Sequence, residues 1–134
     1  MTDDPFAEYV ALMPFAELIG LRLTAVGADE VVGEFDWRAD LCTAGGILHG
    51  GALMAAADSV GAVCACQHLP EGATTATIES KTNLFRAGRQ GTVHVVSRPL
   101  HVGRTNIVVQ TDLFDADERR ISQTTQTQAV LQPR

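Results

Sequence analysis

The sequence predicts an α+β domain in which an antiparallel sheet of about six strands curls round one long helix. Two observations carry the prediction. From Gly50 to Cys66 the chain is helix-compatible and consists of glycine, alanine, leucine, methionine, serine, valine and cysteine around one aspartate. A helix apolar on nearly every side is buried rather than solvated. The segments that flank it read as strands, two before and four after, and one buried helix with that many strands makes a sheet that wraps the helix.

Taken in order, Pro5 to Ile19 carries apolar side chains at roughly helical spacing, with Pro14 either ending the segment or starting a second short helix, and Gly20 closing it. Leu21–Val26 and Val31–Trp37 alternate apolar and polar residues about Gly27-Ala28-Asp29, which predicts a hairpin of half-buried strands. A glycine-rich loop leads to His49 and the helix, and Gln67–Gly72 reads as a turn. Thr74–Phe85, Gly91–His101, Thr105–Phe114 and Arg119–Leu131 are rich in threonine, valine and isoleucine and are separated by polar or glycine-containing turns. No repeat, linker or low-complexity tract interrupts them, so residues 1–134 are expected to form a single domain.

A chain of 134 residues, 46% hydrophobic and 19% charged, is long enough to bury a core and too apolar to be disordered. Its net charge of −6 argues against a broad nucleic-acid or anionic-membrane surface, while leaving room for a local arginine cluster. Cys42, Cys64 and Cys66 are an odd number without a paired framework, and no leader segment is evident, so a reduced, cytoplasmic protein is expected. Cys64 and Cys66 stand two apart on a helix and point different ways, which argues against a zinc site. Asp58 and the many small residues argue against reading the apolar helix as a membrane span.

Asp58 is the only charged residue between Gly50 and Cys66. An unpaired buried charge is costly, so the carboxylate needs a catalytic or structural reason. His49-Gly50-Gly51 precedes it with the histidine nine positions upstream. Further on come Thr77-Ile78-Glu79-Ser80-Lys81-Thr82-Asn83-Leu84-Phe85-Arg86 and His101-Val102-Gly103-Arg104-Thr105. In that order and at those separations, over nearly the whole chain, these segments resemble the hotdog-fold thioesterases and, within them, the PaaI-like acyl-CoA thioesterases.

The resemblance implies hydrolysis of an acyl-CoA thioester to a free acid and CoA, with no metal and no cofactor apart from the coenzyme A of the substrate. It makes the Gly50 N–H the group that polarises the thioester carbonyl, with His49 orienting the loop or adding a hydrogen bond. Free N–H groups at a helix N-terminus suit an oxyanion, and Gly50 and Gly51 admit substrate close to the backbone. Asp58 becomes general base or nucleophile, made more basic by partial burial. Thr77 falls where related enzymes carry a hydroxyl near the attacking water. Thr43 falls where many carry asparagine, and one hydroxyl replaces an amide's two functions there. Asn83, Arg86, Arg89 and Arg104 fall in segments that resemble the CoA-binding ones, with Lys81 a weaker candidate; the arginine fork matches phosphate oxygens. Met54 and the N-terminal segment are expected to line the acyl pocket.

Eight helical residues from Gly50 to Asp58 span about 12 Å at ~1.5 Å per residue, so one chain cannot bring both to one carbonyl. Asp58 is therefore expected to work with the Gly50 end of another subunit, in a homodimer at least and a homotetramer by resemblance. Phenylacetyl-type and medium-chain fatty acyl groups both fit this reading. Competing roles stay open on the residues themselves. Asp58 could cap a backbone or pair with an arginine across an interface, His49 could merely cap the helix, Thr77 could be a packing residue, and the arginines could be solvated. A binding module that holds acyl-CoA or an acyl carrier without cleaving it is the alternative function. A hotdog hydratase is disfavoured, because position 63, where such enzymes place a histidine, is valine.

Overall fold

The structure, a computed structural model, describes residues 4–134. Two short helices, α1 (Ala7–Ala11) and α2 (Pro14–Leu18), precede a hairpin of β1 (Arg22–Val26) and β2 (Val31–Asp36). A single 3-10 turn, Ala39–Leu41, leads through the glycine loop to α3 (Gly50–Cys66). Strands β3 (Thr74–Leu84), β4 (Thr92–Val102), β5 (Asn106–Phe114) and β6 (Arg120–Leu131) complete the chain. Every strand expected from the sequence forms, its ends moved by no more than one residue. Pro14 starts a helix rather than breaking one: it occupies the first turn of α2, where the missing N–H has no partner to lose.

The six strands make one antiparallel sheet in the order β1-β2-β4-β5-β6-β3, with α3 against its concave side. This is the hotdog arrangement. The core consists of Leu53, Ala56, Ala57, Val60 and Val63 of α3 packed with Val31, Phe35, Val93, Val95, Ile107, Val109, Leu113 and Ile121 of the sheet. Alternation along β5, where Ile107, Val109, Thr111 and Leu113 point inward, is the half-buried pattern that threonine- and valine-rich runs predict.

The helix is not apolar and buried on every side. Gly51, Met54 and Asp58 form an exposed stripe at i, i+3 and i+7, flanked by the half-buried Ala55 and Ser59. The partial burial expected for Asp58 is therefore not supplied by its own chain. Composition concealed the stripe, because two of its three residues are a glycine and a methionine.

The inner face of β6 is polar: Ser122, Thr124, Gln126 and Gln128 are all buried there. They lie beside β3, an edge strand paired on one side only. The β3–β6 register slips between Thr77 and Glu79, a β-bulge that reverses which residues face the helix. Thr75 and Thr77 face it before the bulge, and Ser80, Thr82 and Leu84 after.

Candidate active site

The N-terminus of α3 is built by the loop before it. Gly45 and Gly46 both take positive φ (83° and 72°), tightening a turn that Thr43 N–H closes on the Ile47 carbonyl at 2.8 Å. The Leu48 N–H bonds the Gly88 carbonyl (2.8 Å) and the His49 N–H the Leu41 carbonyl (2.9 Å), so the helix start is fixed from both sides. His49 is the N-cap: its Nδ1 accepts the Gly51 N–H at 2.8 Å. An accepting Nδ1 leaves the ring proton on Nε2, which makes His49 a donor at its outer end. The capping role and the orienting role are thus the same geometry. Ala52 N–H takes the His49 carbonyl, and the Gly50 N–H has no acceptor among the described residues. Glycine at 51 has a local reason, because a β-carbon there would stand 2.9 Å from His49 Nδ1.

Two turns along, Asp58 Oδ1 accepts two hydrogen bonds, one from Thr77 Oγ1 at 3.0 Å and one from Gln126 Nε2 at 2.8 Å. Oδ2 receives none from the described residues. The donors form a directed chain. Thr75 Oγ1 has two acceptors for its one proton, Gln128 Oε1 and the Ala129 carbonyl (3.0 Å each), Gln128 Nε2 donates to Thr77 Oγ1 (2.8 Å), and Thr77, already accepting, turns its proton to Asp58. The Thr77 hydroxyl therefore donates to the carboxylate that the resemblance sets to act on water. The bulge after Thr77 is what aims it there.

Asp58 rims two clefts. One of about 370 Å³ is lined by Gly51, Met54, Ala55, Thr77 and Ser80, and one of about 340 Å³ lies under Met13, Phe15 and Ser59. A third, of about 470 Å³, lies between α2 and the start of α3, where Phe15, Leu18, Leu41 and Ala52 meet His49 and Gly51. Phe15 and Leu18 are 61% and 66% exposed, an unusual state for side chains of that size unless something apolar covers them.

Because α3 is unbroken from Gly50 to Cys66, Asp58 and the Gly50 N–H of one chain stay about 12 Å apart. The other expected residues divide by position. Arg86 and Arg89 line a polar cleft of about 360 Å³ with Asp115, Asp117 and Arg119. Arg119 is committed to Asp115 (3.0 Å) and Asp117 (3.5 Å), whereas Arg86 and Arg89 form no ion pair among the described residues. Burial pushes the Asp115 carboxyl up. The Arg119 and Asp117 N–H groups and the Arg119 guanidinium outweigh that and hold it below the usual carboxylate range. Arg104 does not join this cluster: the eleven residues of β4 put it at the opposite end of the sheet, about 35 Å away at ~3.3 Å per residue. Asn83 and Lys81 are exposed on β3, and Thr43 is exposed in the glycine loop with no side-chain hydrogen bond among the described residues. A single chain thus gathers Asp58 with Thr77 and Met54, and His49 with Gly50 and Gly51. It leaves Thr43, Asn83 and Arg104 outside both groups.

Gln126, Gln128 and Arg119 belong to the site region and were missed in the sequence. The available signal was the period-two run Ser122, Thr124, Gln126, Gln128, polar residues at positions that the strand pattern assigns to the core.

A family model described as the thioesterase superfamily matches residues 45–122, more than half of the chain, from the glycine loop through α3 into β6. The chain belongs to the thioesterase superfamily. As a thioester hydrolase it has relatives of both kinds, curated and solved. This thioesterase is 36% identical over 88 residues to ComA2 of Bacillus subtilis (strain 168), covering 64% of this chain and 69% of that one. It is 34% identical over 86 residues to the 1,4-dihydroxy-2-naphthoyl-CoA hydrolase of Escherichia coli (strain K12), covering 64% and 63%. The crystal structure of thioesterase HI1161 from Haemophilus influenzae superposes with a TM-score of 0.89 over 98% of this chain and 92% of that one, at 23% identity, and establishes the shared fold.

Proposed function

We propose that this thioesterase is a PaaI-like acyl-CoA hydrolase that releases CoA and a free acid from a phenylacetyl-type aromatic or medium-chain fatty acyl-CoA. The observation that carries the reading is Asp58: an exposed carboxylate on an otherwise apolar helix stripe, with Oδ1 held by two donors and Oδ2 open toward apolar clefts. Its surroundings suit an acyl group beside the reacting carbonyl, with Met54 on one side and Phe15 on the other.

The chemistry then runs between subunits. The Gly50 N–H of one chain, at the positive end of its helix dipole, polarises the thioester carbonyl, and the His49 Nε2–H adds a second donor. Asp58 of the other chain takes a proton from water as its oxygen bonds to the carbonyl carbon, or bonds to that carbon itself. The tetrahedral oxyanion collapses, the C–S bond breaks, and the departing thiolate of CoA takes up a proton. In the second route water hydrolyses the acyl-aspartate. One turnover in H2(18)O tests the second route: label in the protein carboxylate marks Asp58 as the nucleophile, because water that opens the anhydride at the aspartyl carbonyl leaves its oxygen on Asp58, whereas label in the product acid alone fits either the base or water attacking the anhydride at the acyl carbonyl. Arg86 and Arg89, cations without an ion pair among the described residues, would take CoA phosphates, and Arg104 could contribute only from another subunit.

The open edge of β3 supports the dimer. Along eleven residues the backbone groups that point away from β6 have no partner strand among the described residues, beside Ile78 and Leu84, which are 61% and 53% exposed, and proteins rarely leave such an edge uncovered. Pairing there would set two α3 helices side by side. A single domain over 1–134, assembly into a tetramer and a cytoplasmic location belong to the same reading. Among the described residues no helix is long and apolar enough to cross a membrane.

The test is release of CoA thiol from aryl-acetyl, benzoyl and short-to-long fatty acyl-CoAs by the wild type and by Asp58→Asn. Turnover that Asp58→Asn abolishes is the expected result. Tight binding without turnover by the wild type would overturn the reading in favour of a binding module.

A further inference from the structure

Gln126 has no exposed surface, lying between α3 and the inner face of β6. Its Nε2 donates to Asp58 Oδ1, and its Oε1 is buried without a hydrogen-bond partner among the described residues. Turning the amide over would set Oε1 against a carboxylate oxygen, so the chemistry settles which end faces Asp58. Space for the amide comes from Gly61, in the middle of α3, where a β-carbon would land on Gln126 Oε1. Glycine inside a helix and an unpaired buried carbonyl oxygen are each unfavourable. Alanine at 61 with an apolar residue at 126 would serve the fold better. What the two unfavourable features achieve together is one N–H on one oxygen of Asp58.

We propose that Gln126, given room by Gly61, is a positioning residue that fixes the Asp58 carboxylate so that Oδ2 is the oxygen presented to water or the thioester carbonyl. Thr77 alone would let the carboxylate plane rotate about a single hydrogen bond. A second donor, from a different strand, fixes that plane. The proposal rests on the reading of Asp58 as the reacting group.

The experiment uses the full chain and whichever acyl-CoA the wild type turns over, with Gln126→Leu, Gly61→Ala, the double variant and Asp58→Asn. Both single variants are expected to lose about tenfold to a hundredfold in kcat, with KM within about twofold of wild type. In the double variant the losses should not add, since both changes remove the same hydrogen bond. A purely structural role would lower Tm and leave kcat of the folded protein and the kcat-against-KM split untouched, and that result overturns the proposal. Should Gln126→Leu fail to fold, Gly61→Ala decides by the same readouts. Asp58→Asn tells the two failures apart. Turnover that survives it defeats the reading of Asp58. Turnover lost in it but unchanged in Gln126→Leu and Gly61→Ala defeats the positioning role alone.

Discussion

Asp58 shows how much a single oxygen can be specified: Thr77 and Gln126 meet on Oδ1, and Oδ2 is left open. Asp58→Asn should cut kcat by about a hundredfold to ten-thousandfold while leaving the melting temperature close to wild type, because the side chain is exposed and isosteric. Circular dichroism melts alongside CoA release check both halves. Asp115 tests a different kind of carboxylate. Its folded-state value is held below the ordinary 3.8, so its contribution to stability is present above that value and is lost as pH falls through the lower one. Asp115→Asn should accordingly melt lower than wild type at pH 7, and the difference should close on acidification below about pH 4. A gap that stays constant to pH 2.5 would assign the effect to the turn geometry instead. Cys64 is buried, which pushes its thiol up to about 11, so it should stay unreactive toward a disulfide reagent at pH 8 until the protein is unfolded.

Helix α3 performs separate tasks at its start and at its middle, and they can be tested apart. At its start, the His49 cap satisfies Gly51 N–H and leaves Gly50 N–H free. Removing the cap in His49→Ala should cost about 0.5–2 kcal/mol, read in urea melts. Gly50→Pro deletes the N–H at the first helical position, where proline is well tolerated, and a β-carbon there meets only the flexible end of Leu84. It should keep the fold and lose activity. Along β3 the bulge is the decisive local feature. Without it, Thr77 and Leu84 could not both face α3, since they stand seven residues apart and an unbroken strand would send them to opposite sides. The cap was open among the readings of His49, whereas the bulge has no signature in the residues, because it depends on the register of a partner strand that lies far along the chain.

In the proposed mechanism the assembled molecule brings together what α3 keeps about 12 Å apart. Subunit mixing tests this directly. Asp58→Asn and Gly50→Pro are each expected to be inactive. If each site takes Asp58 from one chain and Gly50 from its partner, an equal mixture refolded together should regain about a quarter of wild-type activity, because half the dimers are mixed and each has one intact site. No recovery in a mixture that has exchanged subunits would place both groups in one chain. Ile78→Lys on the open β3 edge should weaken the dimer in sedimentation and reduce activity in step with it.

The strand and helix boundaries, the long helix and the special standing of Asp58 were all legible in the residues, because alternation, helix length and a charge among apolar neighbours are local properties. What covers each face is not local. Only the tertiary structure shows Gly51, Met54 and Asp58 as an exposed stripe, separates Arg104 from Arg86 and Arg89, and brings Gln126 from sixty-eight positions away to the carboxylate. Hydrogen bonds of that kind are selected by the packing of β6 against α3. A polar residue on a strand carries no mark of which side chain it will meet.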